Sequence, residues 1–109
     1  MKHDITETRL FQIISKYLDC QNLSIIEKRN NIYLAENKDD KYGVIRYDTK
    51  YGWLVISDNL INEVSNMFGL SEKETSHVIS LWVENVLSMT VIKTFEWDSV
   101  SKYQFCIPE

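Results

Sequence analysis

Residues 63–79 read EVSNMFGLSEKETSHVI, and the point at which this stretch divides sets the number and order of the helices. Glycine takes the left-handed conformation that ends a helix without steric cost, so Gly69 marks a stop. Ser71 followed three residues later by Glu74 is a capping box, whose two side chains satisfy free N–H groups at the start of a helix. The stretch is therefore two helices and a turn. Before the glycine, Leu60, Ile61, Val64, Met67 and Phe68 recur at helical spacing, and Ser57 or Asp58 can cap the start. After it, Thr75, Val78, Ile79, Trp82, Val83 and Val86 fall on one face at about 100° per residue, which predicts a helix to about Ser88. Lys73, Ser76, His77, Ser80 and Glu84 fall on the opposite face. Leu81 stands beside that polar face, off the apolar stripe.

Four short runs precede the helix pair: LSIIEK, IYLAE, YGVIRY and WLVIS. They are rich in β-branched and aromatic residues, and the gaps RNN, NKDDK and DTKYG carry turn residues. Connections this short join antiparallel neighbours. At the N-terminus, Leu10, Ile13, Ile14, Tyr17 and Leu18 mark a helix over about 6–19, with Asp4 and Glu7 as a capping box at its start. At the C-terminus, Val91, Phe95 and Trp97 alternate on one face, as do Tyr103, Phe105 and Ile107, with DSVSK between them. That pattern predicts a β-hairpin whose aromatics pair across strands. The fold class is α+β, in one domain over 1–109: an N-terminal helix, a four-stranded antiparallel meander, a helical hairpin and a C-terminal β-hairpin.

The helix pair shares features with the helix-turn-helix motif. Ser65 takes the small position, Gly69 the turn, and Val64, Leu70 and Val78 the apolar positions, while a following hairpin would stand where a winged helix has its wing. A DNA-binding use of the 58–88 segment would place Ser71, Lys73, Ser76 and His77 against the duplex. The charges oppose it. Glu72 and Glu74 sit at the end that would approach phosphate, and carboxylates there suit the helix dipole and repel DNA.

The whole chain carries 12 Lys and Arg against 16 Asp and Glu, a net charge of −4, which also repels phosphate. The cations Lys28, Arg29, Lys38, Lys41, Arg46 and Lys50 are interleaved with Asp39, Asp40 and Asp48, as on a solvated face. The start has no apolar run of signal-peptide length, and no stretch has the roughly 18 apolar residues of a membrane span. A cytoplasmic setting without membrane contact is the expectation, with Cys20 and Cys106 as free thiols.

No catalytic, cofactor-binding or metal-binding residues are expected. His3 could bind Cu(II) or Ni(II) with the chain terminus, but a mobile terminus is the ordinary reading. Glu74 and His77 stand three apart on a helix, one copy of a pattern that metal-binding bundles use twice and face inward. Neither cysteine has a nucleophile motif around it, and the glycines of YGVIRY and YGWLV lack the strand–loop–helix context of a phosphate loop. Trp53, Trp97, Tyr103 and Phe105 on strands, with Trp82 on a helix, could stack bases, serve as core, or anchor a protein interface. The acidic composition disfavours the first.

The sequence thus points to a small acidic module that binds another protein, or a second copy of itself, without catalysis. Its partner-binding candidates are Leu81, Trp97 and Tyr103. The alternatives are the winged-helix-like DNA binder and an enzyme whose site forms only in three dimensions.

Overall fold

A computed structural model describes the backbone of residues 2–97 and 105–108, and the side chains of residues 9–96 and 105–108. The chain begins with helix α1 (Lys2–Cys20), followed by strands β1 (Ser24–Lys28), β2 (Asn31–Ala35), β3 (Ile45–Asp48) and β4 (Trp53–Ser57). Helices α2 (Asp58–Phe68) and α3 (Glu72–Leu87) come next, and strand β5 (Lys93–Trp97) ends the series. The α+β order expected from sequence is the order found. Helix α1 starts earlier than its apolar stripe, so Asp4 and Glu7 lie inside the helix rather than capping it.

The strands form one sheet in the order β1-β2-β3-β4-β5. The first four make the antiparallel meander, with Ile26 opposite Tyr33, Tyr33 opposite Arg46, and Arg46 opposite Val55. Strand β5 pairs with β4 in parallel, Val55 opposite Phe95. A parallel neighbour needs a crossover, and α2 and α3 provide it.

Alternate residues of each strand face opposite sides. Ile32, Leu34, Ile45, Tyr47, Leu54 and Ile56 point to one side, where Ile14 and Leu18 of α1, Ile61 and Val64 of α2, and Ile79, Trp82 and Val83 of α3 complete one core. Each such side chain contributes about 1.5–3 kcal/mol by leaving water. Two polar ties fix α1 across the other helices. The Tyr17 hydroxyl donates to Glu63 Oε1 of α2 at 3.0 Å, and the Trp82 Nε1–H of α3 donates to Asp19 Oδ1 at 2.9 Å.

The helix turn forms as its residues dictate. Ser57 caps α2 and accepts from the Leu60 N–H, and Gly69 ends it at φ 66°. Ser71 and Glu74 make the reciprocal capping bonds of α3. Ser88 ends α3 at φ 54°, where its side chain is strained and glycine would not be.

The C-terminal region differs from the expected hairpin. The segment DSVSK and Tyr103 lie outside the described residues. Phe105 and Ile107 flank Cys106, which bridges Tyr42 in the β2–β3 connection. The Gly43 N–H donates to the Phe105 carbonyl at 2.8 Å, and the Ile107 N–H to the Lys41 carbonyl at 2.8 Å. The aromatic partner across from Phe95 is supplied by β4 instead. The strand found is 93–97, and Val91 packs against the core instead of sharing the face of Phe95; periodicity could show a strand here but not which strand it would pair with.

Entry into β5 depends on Gly52. Its carbonyl accepts from Ile92 N–H at 2.7 Å, its φ is 70°, and a Cβ there would lie 3.0 Å from the Ile92 side chain. Gly52→Ala is therefore expected to lower the unfolding free energy by about 1–2 kcal/mol. Ser88→Gly is expected to raise it by about 0.5–1 kcal/mol by relieving the cap of α3. Urea unfolding of the two variants measures both effects, and a neutral Gly52→Ala would contradict the close approach of Ile92.

Candidate interaction surface

The side of the sheet away from the helices carries two kinds of surface. Tyr33, Ala35 and Val55 are buried on it. Phe105 is buried beside Gly43 at one end of the sheet, bordering a cleft that Leu60 and Glu63 of α2 also line. At the other end, the β3–β4 turn and the start of β5 expose large apolar groups. Tyr51 is 49% exposed and Trp53 42%, and Ile92, which lies against Gly52, is 74% exposed.

The rings there are ordered against one another. Tyr51 and Trp53 are stacked with centroids 4.9 Å apart, and Trp53 meets Phe95 at 5.6 Å in an edge-on arrangement. Lys50 Nζ lies 5.3 Å from the Tyr51 centroid, and Lys93 Nζ lies 5.1 Å from that of Phe95. The result is a ladder, Lys50–Tyr51–Trp53–Phe95–Lys93, in which ring faces meet rings and cations.

Local geometry builds it. The Asp48 carboxylate accepts from the N–H groups of Lys50 and Tyr51 at 2.8 and 3.2 Å, which fixes the turn. Gly52 returns the chain, so Tyr51 and Trp53 come to one side. The parallel register then sets Lys93 opposite Trp53 and Phe95 opposite Val55. Glycine at residue 52 leaves Ile92 free to lie over the turn.

The sequence candidates fall in different places. Leu81 is on α3, 36% exposed, in the helix layer and across the sheet from the ladder. Trp97 ends β5, its backbone opposite Ser57, and its side chain is outside the described residues, as is all of Tyr103. Trp82 and Phe105 are core. Trp53, grouped with them in sequence, is instead the centre of the exposed ladder. The signal missed was the pair Tyr51 and Trp53 two apart across a glycine. It became a surface only through Phe95 and Lys93, on a strand separated from it by two helices.

The residues of the DNA-binding alternative form no basic surface. Ser71 Oγ accepts from the Glu74 N–H, and Glu74 Oε1 accepts from the Ser71 N–H, so both side chains serve the helix start. Lys73 and His77 are exposed and Ser76 half-buried. The strand following α3 joins the main sheet through β4, where a wing would stand apart. Near the helix starts, burial first, then the charges of Glu72 and Asp58, push the Glu96 carboxyl above its ordinary value. The capping bonds from Ser71 hold Glu74 below its own.

Among the described residues, no group of three or more His, Cys, Asp or Glu could hold a metal ion, and no helix is long and apolar enough to cross a membrane. Cys20 and Cys106 are both free and exposed. No protein family model matches the sequence, and no curated protein or solved structure matches it.

Two expectations follow. Trp82→Ala should cost about 3–5 kcal/mol because it empties the core, whereas Trp53→Ala should cost less, about 1–2 kcal/mol, because that residue is already 42% exposed; chemical denaturation distinguishes them. Glu96 binds its proton more tightly when folded, so the penalty on its carboxylate is full above the folded pKa and fades as pH falls through it. Glu96→Gln should therefore be more stable than the parent at neutral pH, with the gap closing in mild acid, as melting across pH would show.

Proposed function

We propose that this chain is a small protein-binding module of the cytoplasm that acts by contact rather than by catalysis, with the Tyr51–Trp53–Phe95 ladder as its contact surface. The observation that carries this reading is the exposure of an ordered aromatic group, with Ile92 exposed at the neighbouring turn. Contiguous apolar groups rimmed by charge are the mark of interaction sites. Trp and Tyr are the residues that most often dominate binding energy, because they bring a large contact area with few rotatable bonds. Here the ring contacts hold them in place before any partner arrives, which lowers the entropy cost of docking.

The reading also accounts for a cost. Tyr51, Trp53 and Ile92 are left partly in water and forgo burial, while the fold buries Leu54 and Ile56 of the same sheet completely. A surface use is what that arrangement supports.

Sedimentation of the chain, with affinity capture from its native cytosol by the parent and by Trp53→Ala, tests the proposal. The parent should self-associate or retain a partner, and the variant should lose it while keeping its far-ultraviolet circular dichroism. A strict monomer that captures the same proteins with and without Trp53 would overturn the proposal.

A further inference from the structure

The charge of this protein is divided between its two sides. The helix pair, residues 58–87, holds Asp58, Glu63, Glu72, Glu74 and Glu84 against Lys73, an excess as large as that of the whole chain. The far side of the sheet is different. One row across it reads Lys28, Asn31, Asp48, Trp53, Lys93, and the next Ile26, Tyr33, Arg46, Val55, Phe95. Asp48 is the only carboxylate in these two rows, and its Oδ1 is taken by the turn N–H groups of Lys50 and Tyr51. Arg46 acts on the Tyr33 hydroxyl, where it opposes the rise that burial causes. Lys50 and Lys93 remain at the two ends of the ladder, each held near a ring and exposed.

We infer that the ladder takes an acidic peptide segment of another protein, with an apolar or aromatic side chain on Trp53 and carboxylates on Lys50 and Lys93. This rests on the protein-binding reading above and adds the chemistry of the partner. A cation held over a ring keeps its charge and has already lost part of its rotamer freedom, so pairing it with a carboxylate costs less order. The apolar group between the two lysines matches an anchor flanked by acids. The excess of carboxylates on the helix side orients an acidic segment toward the ladder and away from the helices. Single-stranded nucleic acid shares the cationic and aromatic requirement, but its continuous run of phosphates would meet two lysines at the ladder and an overall charge of −4 beyond them.

The test is selection from a random-peptide display library on the intact chain, with Trp53→Ala as the counter-selecting surface. The expected result is enrichment of Asp and Glu within a few positions of an apolar or aromatic residue. A synthesised winner should bind about three- to tenfold more weakly to the Lys50→Ala, Lys93→Ala double variant, and more weakly in high salt. The charge reversals Lys50→Glu and Lys93→Glu, at exposed positions that should leave the fold intact, should abolish its binding. Trp53-dependent peptides that are neutral or basic would overturn the acidic partner and leave the protein-binding reading standing. No Trp53-dependent peptide would overturn both. Trp53-dependent binding of oligo-dT, or Trp53-dependent self-association of the chain, would assign the surface to a different occupant and overturn the inference.

Discussion

The parallel pairing of β5 with β4 sets both the core and the exposed aromatic surface of this protein. The Ile92 and Lys93 N–H groups both reach the Gly52 carbonyl, at 2.7 and 3.4 Å, and the ladder of β4 and β5 runs from there. To make that pairing the chain must cross the sheet through α2 and α3, which lays the helix pair on one side and closes the core around Leu54 and Ile56. Further ties hold the crossover down. The Tyr47 hydroxyl donates to the Thr90 carbonyl at 2.7 Å, the Val91 N–H donates to Glu84 Oε2 at 2.8 Å, and the Thr94 hydroxyl donates to Ser80 Oγ at 3.3 Å. The same pairing brings Phe95 to Trp53 and Lys93 to Phe95, and so creates the exposed ladder on the other side. Core and surface are two consequences of one register.

The charge pattern follows from the same layout. Carboxylates near helix starts interact favourably with the helix dipole and with free N–H groups, which is why Asp58, Glu72 and Glu74 stand where they do. With Glu63 and Glu84 they give the helix pair an excess of four carboxylates over its one lysine, Lys73. An overall charge of −4 describes the molecule's average and conceals a sheet face whose free charges at the ladder are lysines. Function classes inferred from net charge alone apply to the helix side here and not to the ladder.

Local chemistry was readable in the sequence to the extent that it was local. Gly69, Ser71 and Glu74 announced the helix turn, and each performs the role its residue type requires. The meander was legible because β-branched runs and short polar gaps leave only antiparallel neighbours. What could not be read was long-range. Residues 91–97 alternate as any strand would, and nothing in that alternation says that the partner is β4 or that the direction is parallel. Trp53 and Trp82 look alike as aromatic residues in structured runs. One is core and the other surface because the helices cover only one side of β4, a fact that requires the crossover to be known first. Leu81 was visible as an apolar residue off its stripe, but the sequence could not place it across the sheet from the larger aromatic group.

Strand β5 docks in parallel beside β4 and so brings Phe95 onto Trp53. A double-mutant cycle on the unfolding free energies of Trp53→Ala, Phe95→Ala and the double variant tests it most directly. Rings 5.6 Å apart predict a coupling of about 0.5–1.5 kcal/mol. Strict additivity, with both single variants folded, would contradict the pairing and the surface built on it.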